Sequence, residues 1–204
     1  MPLCYAQSAM ERILYRYRRL ALIALVCSTA GTSLARPSQE PITKFRPVDF
    51  RVRRLAPSAF AELPPNIRRE LERRGCTVPQ VSANNQPHNV IKGEFTRKGQ
   101  TDWAVLCSVN QASTILVFRN ASVRNPSEFA REPDELQATG GDAVAYSRAI
   151  SGVDRAYILS HYQAYGGNKP PTIDHQGIND AFVEKASGIH YFDAGKWFNL
   201  KGAD

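Results

Sequence analysis

The chain has 204 residues, of which 43% are apolar, 22% charged and 9% aromatic. This composition is ordinary for a folded protein and supports a hydrophobic core of normal size, so folding requires neither a metal nor a set of disulfides. The formal net charge is +7. The first 35 residues, with four arginines and one glutamate, carry +3 of this charge, and the remaining residues carry +4. A mildly basic remainder is explained as well by solubility as by an acidic partner.

Residues 1–35 have the three parts of a secretory signal peptide. Arginines lie between positions 12 and 19, the run Leu20–Ala30 is apolar, and Ser33-Leu34-Ala35 places small residues before a cleavage site at Arg36. The apolar run is shorter than the roughly 20 residues that a membrane span requires, which argues against an anchor. We therefore predict a periplasmic or secreted mature chain without a transmembrane segment. The pair Arg18-Arg19 leaves open whether export uses the general or the twin-arginine route.

Residues 36–57 are rich in proline and arginine, and we predict an extended lead-in to a single domain over residues 58–204. The alternative is a basic arm that contacts an anionic surface through Arg51, Arg53 and Arg54. Alternating apolar residues favour the first interpretation, since they are typical of an edge strand. These residues are Val48, Phe50 and Val52.

The segment Pro64–Arg74 has the clearest helical pattern. Leu63, Ile67 and Leu71 form one apolar stripe. Proline suits the start of a helix, and Gly75 suits the position after its end.

Removal of the signal peptide leaves two cysteines, Cys76 and Cys107. An even pair in an oxidising compartment predicts a disulfide, which would join the end of the helix to the sheet. The alternative is two separately buried thiols.

The rest of the chain predicts mainly strands that follow one another without long helices between them. We expect strands over Val90–Phe95, Trp103–Val109, Thr114–Phe118 and Arg155–Tyr162. A hairpin is expected over Ile189–Phe192 and Lys196–Leu200. We expect loop with some helix over 124–141 and a short helix over Ile178–Lys185. Neighbouring strands of this kind favour an α+β fold: an antiparallel sheet with one main N-terminal helix and short additional helices.

One short motif resembles a single FG-GAP or VCBS-type repeat, a strand–loop–strand unit of extracellular propellers. It comprises Gly93, Phe95, Gly99 and Asp102-Trp103-Ala104-Val105. In that family the loop often binds calcium through alternating oxygen ligands. Here the corresponding positions are Glu94, Thr96, Lys98, Gln100 and Asp102. An ammonium group at Lys98 should repel a cation, so we predict no metal.

From Leu63 to Asp204 the chain also resembles an uncharacterised family of small exported bacterial proteins. The landmarks are Arg74-Gly75-Cys76, Asp102–Cys107, His175-Gln176-Gly177-Ile178 and Gly195-Lys196-Trp197. The resemblance favours export and says nothing about chemistry.

The candidate catalytic residues are His161, Asp174 and His175, because Asp174-His175 lies in a loop rich in glycine and proline. With His190 and Asp154 they would form a small metal or acid–base cluster, and the alternative is a set of separate polar residues. No zinc, phosphate-loop, dinucleotide or serine-hydrolase motif is present in the sequence, so we predict no cofactor and no metal.

The sequence thus favours a non-enzymatic exported domain that binds an unidentified partner, such as an envelope protein or an anionic surface. A small secreted hydrolase using the histidine–aspartate cluster is the alternative. Export argues against a nucleic-acid partner.

Overall fold

The computed structural model describes residues 52–82, 84–138, 144–183 and 185–202. The predicted signal peptide, Arg51 and most of the predicted lead-in, including Val48 and Phe50, lie outside the described residues.

The described chain contains two α-helices and twelve β-strands. The helices are α1 (Pro65–Arg73) and α2 (Arg155–Tyr165). The strands are β1 (Arg54–Leu55), β2 (Val78–Pro79), β3 (Val90–Gly93), β4 (Asp102–Val109), β5 (Ala112–Phe118), β6 (Ser127–Pro133), β7 (Gln137–Ala138), β8 (Val144–Ala145), β9 (Arg148–Val153), β10 (Gly177–Phe182), β11 (Ala186–Asp193) and β12 (Lys196–Lys201).

The longer strands form two four-stranded antiparallel sheets. Sheet I has the order β3-β4-β5-β6, and sheet II has the order β12-β11-β10-β9. Two further strand pairs, β1-β2 and β7-β8, are also antiparallel.

Helix α1 covers the outer face of sheet I. The buried helix residues Ile67 and Leu71 pack in one cluster with Trp103 and Val105 of β4 and Phe118 of β5. Side chains alternate between the two faces of a strand, so the intervening residues of β4 are available to a second core.

The second core lies between the two sheets. Ala104 and Leu106 of β4 face sheet II and pack in one cluster with Ile150 of β9 and Ile178 of β10, while Phe95 of the β3–β4 loop is fully buried among them.

Helix α2 covers the outer face of sheet II. Ile158 of α2 packs in a third cluster with Ile189 of β11 and Leu200 of β12. The described chain is therefore a stack of helix, sheet, sheet and helix, with three apolar layers between its four elements.

Two polar side chains, the buried Asn89 and the half-buried Gln176, join the sheets. The amide of Asn89 donates to the carbonyls of Pro79 (2.7 Å) and Arg148 (3.2 Å), and its oxygen accepts from the N–H of Ile150 (2.9 Å). Gln176 exchanges hydrogen bonds with the backbone of Glu94: its Oε1 accepts at 2.9 Å, and its N–H donates at 2.8 Å. Both side chains satisfy backbone groups that would otherwise be buried without partners.

The predicted helix is confirmed as α1, and the predicted disulfide between Cys76 and Cys107 is also confirmed. It joins the end of α1 to β4, with a Cα–Cα distance of 5.2 Å. The predicted hairpin is confirmed as β11 and β12, with Ala194 and Gly195 at the turn, both in the positive-φ region.

The predicted α+β class, an antiparallel sheet with one main N-terminal helix, is wrong. The fold is rich in β-strands: two antiparallel sheets dominate it, and α1 is a nine-residue helix on one outer face. The prediction failed because residues 127–133, 148–153 and 177–182 were not recognised as strands, so only part of each sheet was expected.

Three element assignments fail with the class. Arg155–Tyr162 was expected to be a strand but lies in α2, where Asp154 caps the helix by accepting from the N–H of Tyr157 at 2.8 Å. Residues 178–182 were expected to begin a helix but lie in β10, the strand between β9 and β11. Residues 127–133, expected to be loop with some helix, form β6, where Ala130 has a positive φ and the pairing register with β5 shifts. Such a shift interrupts the alternation by which a strand is predicted.

Candidate functional site

A groove opens between β6 of sheet I and strands β10 to β12 of sheet II. It encloses a cavity of about 560 Å³, which is within the range of small-molecule sites. We call it the inter-sheet groove. The side chains that matter for its chemistry are Phe129, Glu132, Asp180, His190, Trp197 and Asn199.

A buried ion pair lies at the base of the groove. The guanidinium of Arg148, 1% exposed, donates to both carboxylate oxygens of Asp180, at 2.9 Å from Nε and 2.8 Å from Nη2. The same guanidinium donates to the carbonyls of Ser113 (3.1 Å) and Ala130 (2.6 Å) on sheet I. Because both charges are paired and hydrogen-bonded, these interactions offset the desolvation cost of burying Arg148. The Arg148 side chain also fixes the position of Asp180 between the two sheets.

His190 lies beside this pair on the neighbouring strand. Its Nε2 is 3.6 Å from Oδ2 of Asp180, and its ring centroid is 4.9 Å from that of Phe129. Asn199 pairs with His190 across the β11–β12 register, and its amide nitrogen is 3.2 Å from each ring nitrogen. Strand alternation places Asp180, His190 and Asn199 on the same face of sheet II, and that is why three strands contribute to one site.

The electrostatics of the site keep Asp180 ionised. Burial by itself raises the pKa of its carboxyl, but the interactions with His190 and Arg148 outweigh burial and hold that pKa below its ordinary value. Asp180 therefore presents a fixed negative charge to His190 and to any group in the groove.

Aromatic side chains form one wall. Trp197 lies against Phe129, with ring centroids 4.5 Å apart, and meets the edge of Phe192 at 5.5 Å. The indole N–H of Trp197 is buried and has no hydrogen-bond partner among the described residues. The groove therefore combines apolar ring surface with a small number of fixed polar groups, as ligand sites commonly do.

The predicted catalytic residues are not joined to one another. His161 lies on α2 between the rings of Tyr157 and Tyr165, and its Nε2 has no partner in the described ranges. His175 Nδ1 lies 3.0 Å from the carbonyl of Gln176, and Asp174 is exposed. No hydrogen bond within the described ranges joins any two of His161, Asp174 and His175.

The predicted anionic-surface arginines have different environments. Arg54 is turned toward the protein, where its Nη2 donates to Asp134 at 2.7 Å, whereas Arg53 is exposed. Arg51 lies outside the described residues.

The loop that resembles a calcium-binding repeat is organised by a carboxylate. Asp102, fully buried, accepts four hydrogen bonds: from the N–H and the hydroxyl of Thr96, from the amide of Gln100 and from the N–H of Asn120, at 2.7–2.8 Å. The side chain that would ligate calcium in the family is thus occupied by donors of the chain itself. Across the described ranges, no group of three or more histidine, cysteine, aspartate or glutamate side chains could hold a metal ion.

Sequence reasoning named His190 but not its neighbours Arg148, Asp180 and Asn199. The missing step was the assignment of residues 177–182 as a strand. Once they are a strand, Ile178 and Asp180 share a face, and a carboxylate on a buried face requires a cationic partner.

Comparison of the chain with models of protein families, with curated proteins and with solved structures gives no match. Neither helix of the described ranges is long and apolar enough to cross a membrane.

Proposed function

We propose that this protein is an exported binding domain and that the inter-sheet groove holds its ligand. The observation that carries the proposal is the convergence of Asp180, His190 and Asn199, from three strands of sheet II, with Phe129 of sheet I on one opening of ligand size. Export is supported by the signal-peptide pattern of residues 1–35 and by the Cys76–Cys107 disulfide, which suits an oxidising compartment.

The charges of the groove favour a neutral polar ligand. Arg148 compensates Asp180, and Glu132 and Lys201 contribute one charge of each sign to the lining. Hydroxyl or amide groups of a ligand would meet His190 and Asn199, while its apolar face would lie against the aromatic wall. Sugars and short peptides have this combination of surfaces.

Saturation-transfer NMR with a panel of neutral mono- and disaccharides and uncharged dipeptides tests the proposal. At least one probe should bind, and Asn199→Ala should weaken its binding about tenfold, as expected for the loss of one or two hydrogen bonds. Asn179→Ala is the matched control, because Asn179 lies in the same sheet but alternates to the opposite face. Binding by none of the probes, or equal loss in the two variants, would contradict the groove as the ligand site.

The proximity of His190 to Asp180 favours a second candidate function, hydrolysis. An imidazole beside a fixed carboxylate is suited to transfer a proton to or from a substrate. Turnover of nitrophenyl esters or nitrophenyl glycosides that is abolished in His190→Gln, with an unchanged melting temperature, would establish this function. Binding without turnover would leave the domain a binding module.

A further inference from the structure

A second concave site shares no lining residue with the inter-sheet groove and is lined by arginines. It has a volume of about 410 Å³, and its lining includes Arg97, Arg119, Arg124, Ser122 and Phe192. We call it the arginine pocket. Of the described residues that line it, none is acidic.

The arginines come from two segments, the β3–β4 loop with Arg97 and the segment after β5 with Arg119 and Arg124, and one carboxylate joins the two. Asp102 binds Thr96 and Gln100 of the loop that carries Arg97, and it also binds the N–H of Asn120, next to Arg119. Because Asp102 is fully buried and accepts four hydrogen bonds, the two walls of the pocket are fixed before any ligand arrives. Preorganisation of this kind reduces the entropic cost of binding.

The side chains themselves are partly oriented. The guanidinium of Arg97 donates to Oε1 of Gln100 at 3.1 Å, and that of Arg119 lies 5.9 Å from the ring centroid of Phe192. The hydroxyl of Ser122 accepts from the N–H of Arg124 at 3.2 Å, so its own proton remains available to an acceptor in the pocket.

The arginines that line the pocket have no ion-pair partner among the described residues. In the part of the chain that the structure describes, every ion pair involves other arginines or His190, and none engages Arg97, Arg119 or Arg124. Three guanidinium groups that face one cavity repel one another, and an anion between them would remove that repulsion. Guanidinium forks match the oxygens of phosphate and bind them with charge-assisted hydrogen bonds.

We infer that the arginine pocket binds a phosphate group. Three arginines and a hydroxyl donor suit a dianion with several oxygens, whereas a single carboxylate would use only one fork. The inference is independent of the inter-sheet groove, because it uses other residues and an anionic rather than a neutral ligand.

Titration with inorganic phosphate at low ionic strength, followed by heteronuclear NMR of the full mature domain, tests the inference. Saturable binding is expected, and Arg119→Ala and Arg124→Ala should each weaken it about tenfold or more. Arg119→Lys, which keeps the charge and loses the fork, should give an intermediate affinity. Both arginines are exposed, so the melting temperatures should not change.

Arg155→Ala is the matched control, since it removes the same charge from an exposed site at the start of α2. It should bind phosphate like the parent protein. Absence of saturable binding, or an equal loss in Arg155→Ala and Arg119→Ala, would overturn the inference, because the second result is expected of net charge alone.

Vesicles distinguish the source of the phosphate group. Binding to phosphatidylcholine vesicles that contain phosphatidic acid, but not to phosphatidylcholine alone, and its loss in Arg119→Ala would indicate a lipid headgroup. Binding of inorganic phosphate without binding of these vesicles would indicate a soluble phosphorylated compound. Vesicle binding that Arg119→Ala leaves unchanged would count against the arginine pocket.

Discussion

At the scale of single residues, Asp102 shows how one buried carboxylate organises a loop. It accepts hydrogen bonds from two backbone N–H groups and from the side chains of Thr96 and Gln100. Hydrogen bonds to a charged group each contribute about 1.5–3 kcal/mol, and donors left buried without a partner cost more.

Asp102→Ala should therefore lower the free energy of unfolding by about 3 kcal/mol or more. Urea denaturation followed by tryptophan fluorescence measures the change, since Trp103 lies next to the substitution. Asp174→Ala is the control: Asp174 is exposed, and surface substitutions usually stay within about 0.5 kcal/mol. Equal stabilities of the two variants would show that Asp102 does not hold the loop.

Glu70 provides a residue-scale prediction for pH. Hydrogen bonds from Arg73, then from Arg74, lower the pKa of Glu70 from 4.5 to about 2. A carboxyl whose folded-state pKa is lowered contributes stability above its unfolded-state pKa, and this contribution is lost as the pH falls toward the folded-state value.

Glu70→Gln should therefore destabilise the protein at neutral pH, and the difference from the parent should vanish as the pH falls from about 4.5 to about 2. Because the pair is at the surface and screened by solvent, we expect at most about 1 kcal/mol. Glu72→Gln, on the same helix and in no ion pair among the described residues, is the control. A difference that persists at pH 2 would mean that the effect is not electrostatic.

At the scale of elements, the approach of β3 to the start of β10 depends on a glycine. A Cβ at Gly93 would lie 2.5 Å from Oε1 of Gln176 and 2.7 Å from the ring of Phe95, and neither can easily move. Gln176 is hydrogen-bonded to Glu94, and Phe95 is fully buried. At Gly152 the nearest atom to an added Cβ would be a ring carbon of Phe95 at 3.5 Å, an ordinary contact.

Gly93→Ala should consequently lower the free energy of unfolding by about 1–3 kcal/mol, the usual cost of overpacking. Gly152→Ala should be neutral or stabilising by up to about 1 kcal/mol, because alanine in a strand loses less backbone entropy than glycine. Thermal and urea unfolding of both variants measure these two changes in the free energy of unfolding. If Gly152→Ala were the more destabilising of the two substitutions, the contact between the two sheets would be looser than the structure indicates.

The elements also show what local sequence information can predict. Helix α1 has an apolar stripe between a proline and a glycine, and each of these features is local. Helix α2 was mistaken for a strand because Tyr157, Ile158 and Tyr162 have high strand propensity, whereas its cap, Asp154, and its packing against sheet II determine its structure. A short apolar run such as that of β10 fits either a buried strand or a buried helix.

At the scale of the whole molecule, one row of aromatic rings joins the two proposed sites. Phe192 lines the arginine pocket and packs against Trp197. Trp197 packs against Phe129, and Phe129 packs against His190 in the groove. The row combines residues of β6, β11 and β12. Single-sequence reasoning could not assemble it, because it requires both the pairing of sheet II and its packing on sheet I.

The proposed function includes export, which is a prediction about the whole molecule. We expect the protein purified from its native host to have an intact mass that begins at Arg36. That mass should rise by two hydrogen atoms on reduction, because Cys76 and Cys107 are the cysteines that remain and they form a disulfide. Closure of the loop between them should contribute about 3–4 kcal/mol to stability by the chain-entropy estimate, so the reduced protein should unfold at lower urea.

Alkylation before and after reduction is the control that separates a native disulfide from later oxidation. Together with the mass, it tests compartment and covalent structure in one experiment. A full-length mass with free thiols would contradict export, because an oxidising compartment would have closed this pair and signal peptidase would have removed residues 1–35. The basic N-terminus would then belong to a protein that remains in the cytoplasm or attached to a membrane. Ligands for the groove and the arginine pocket would have to be sought there.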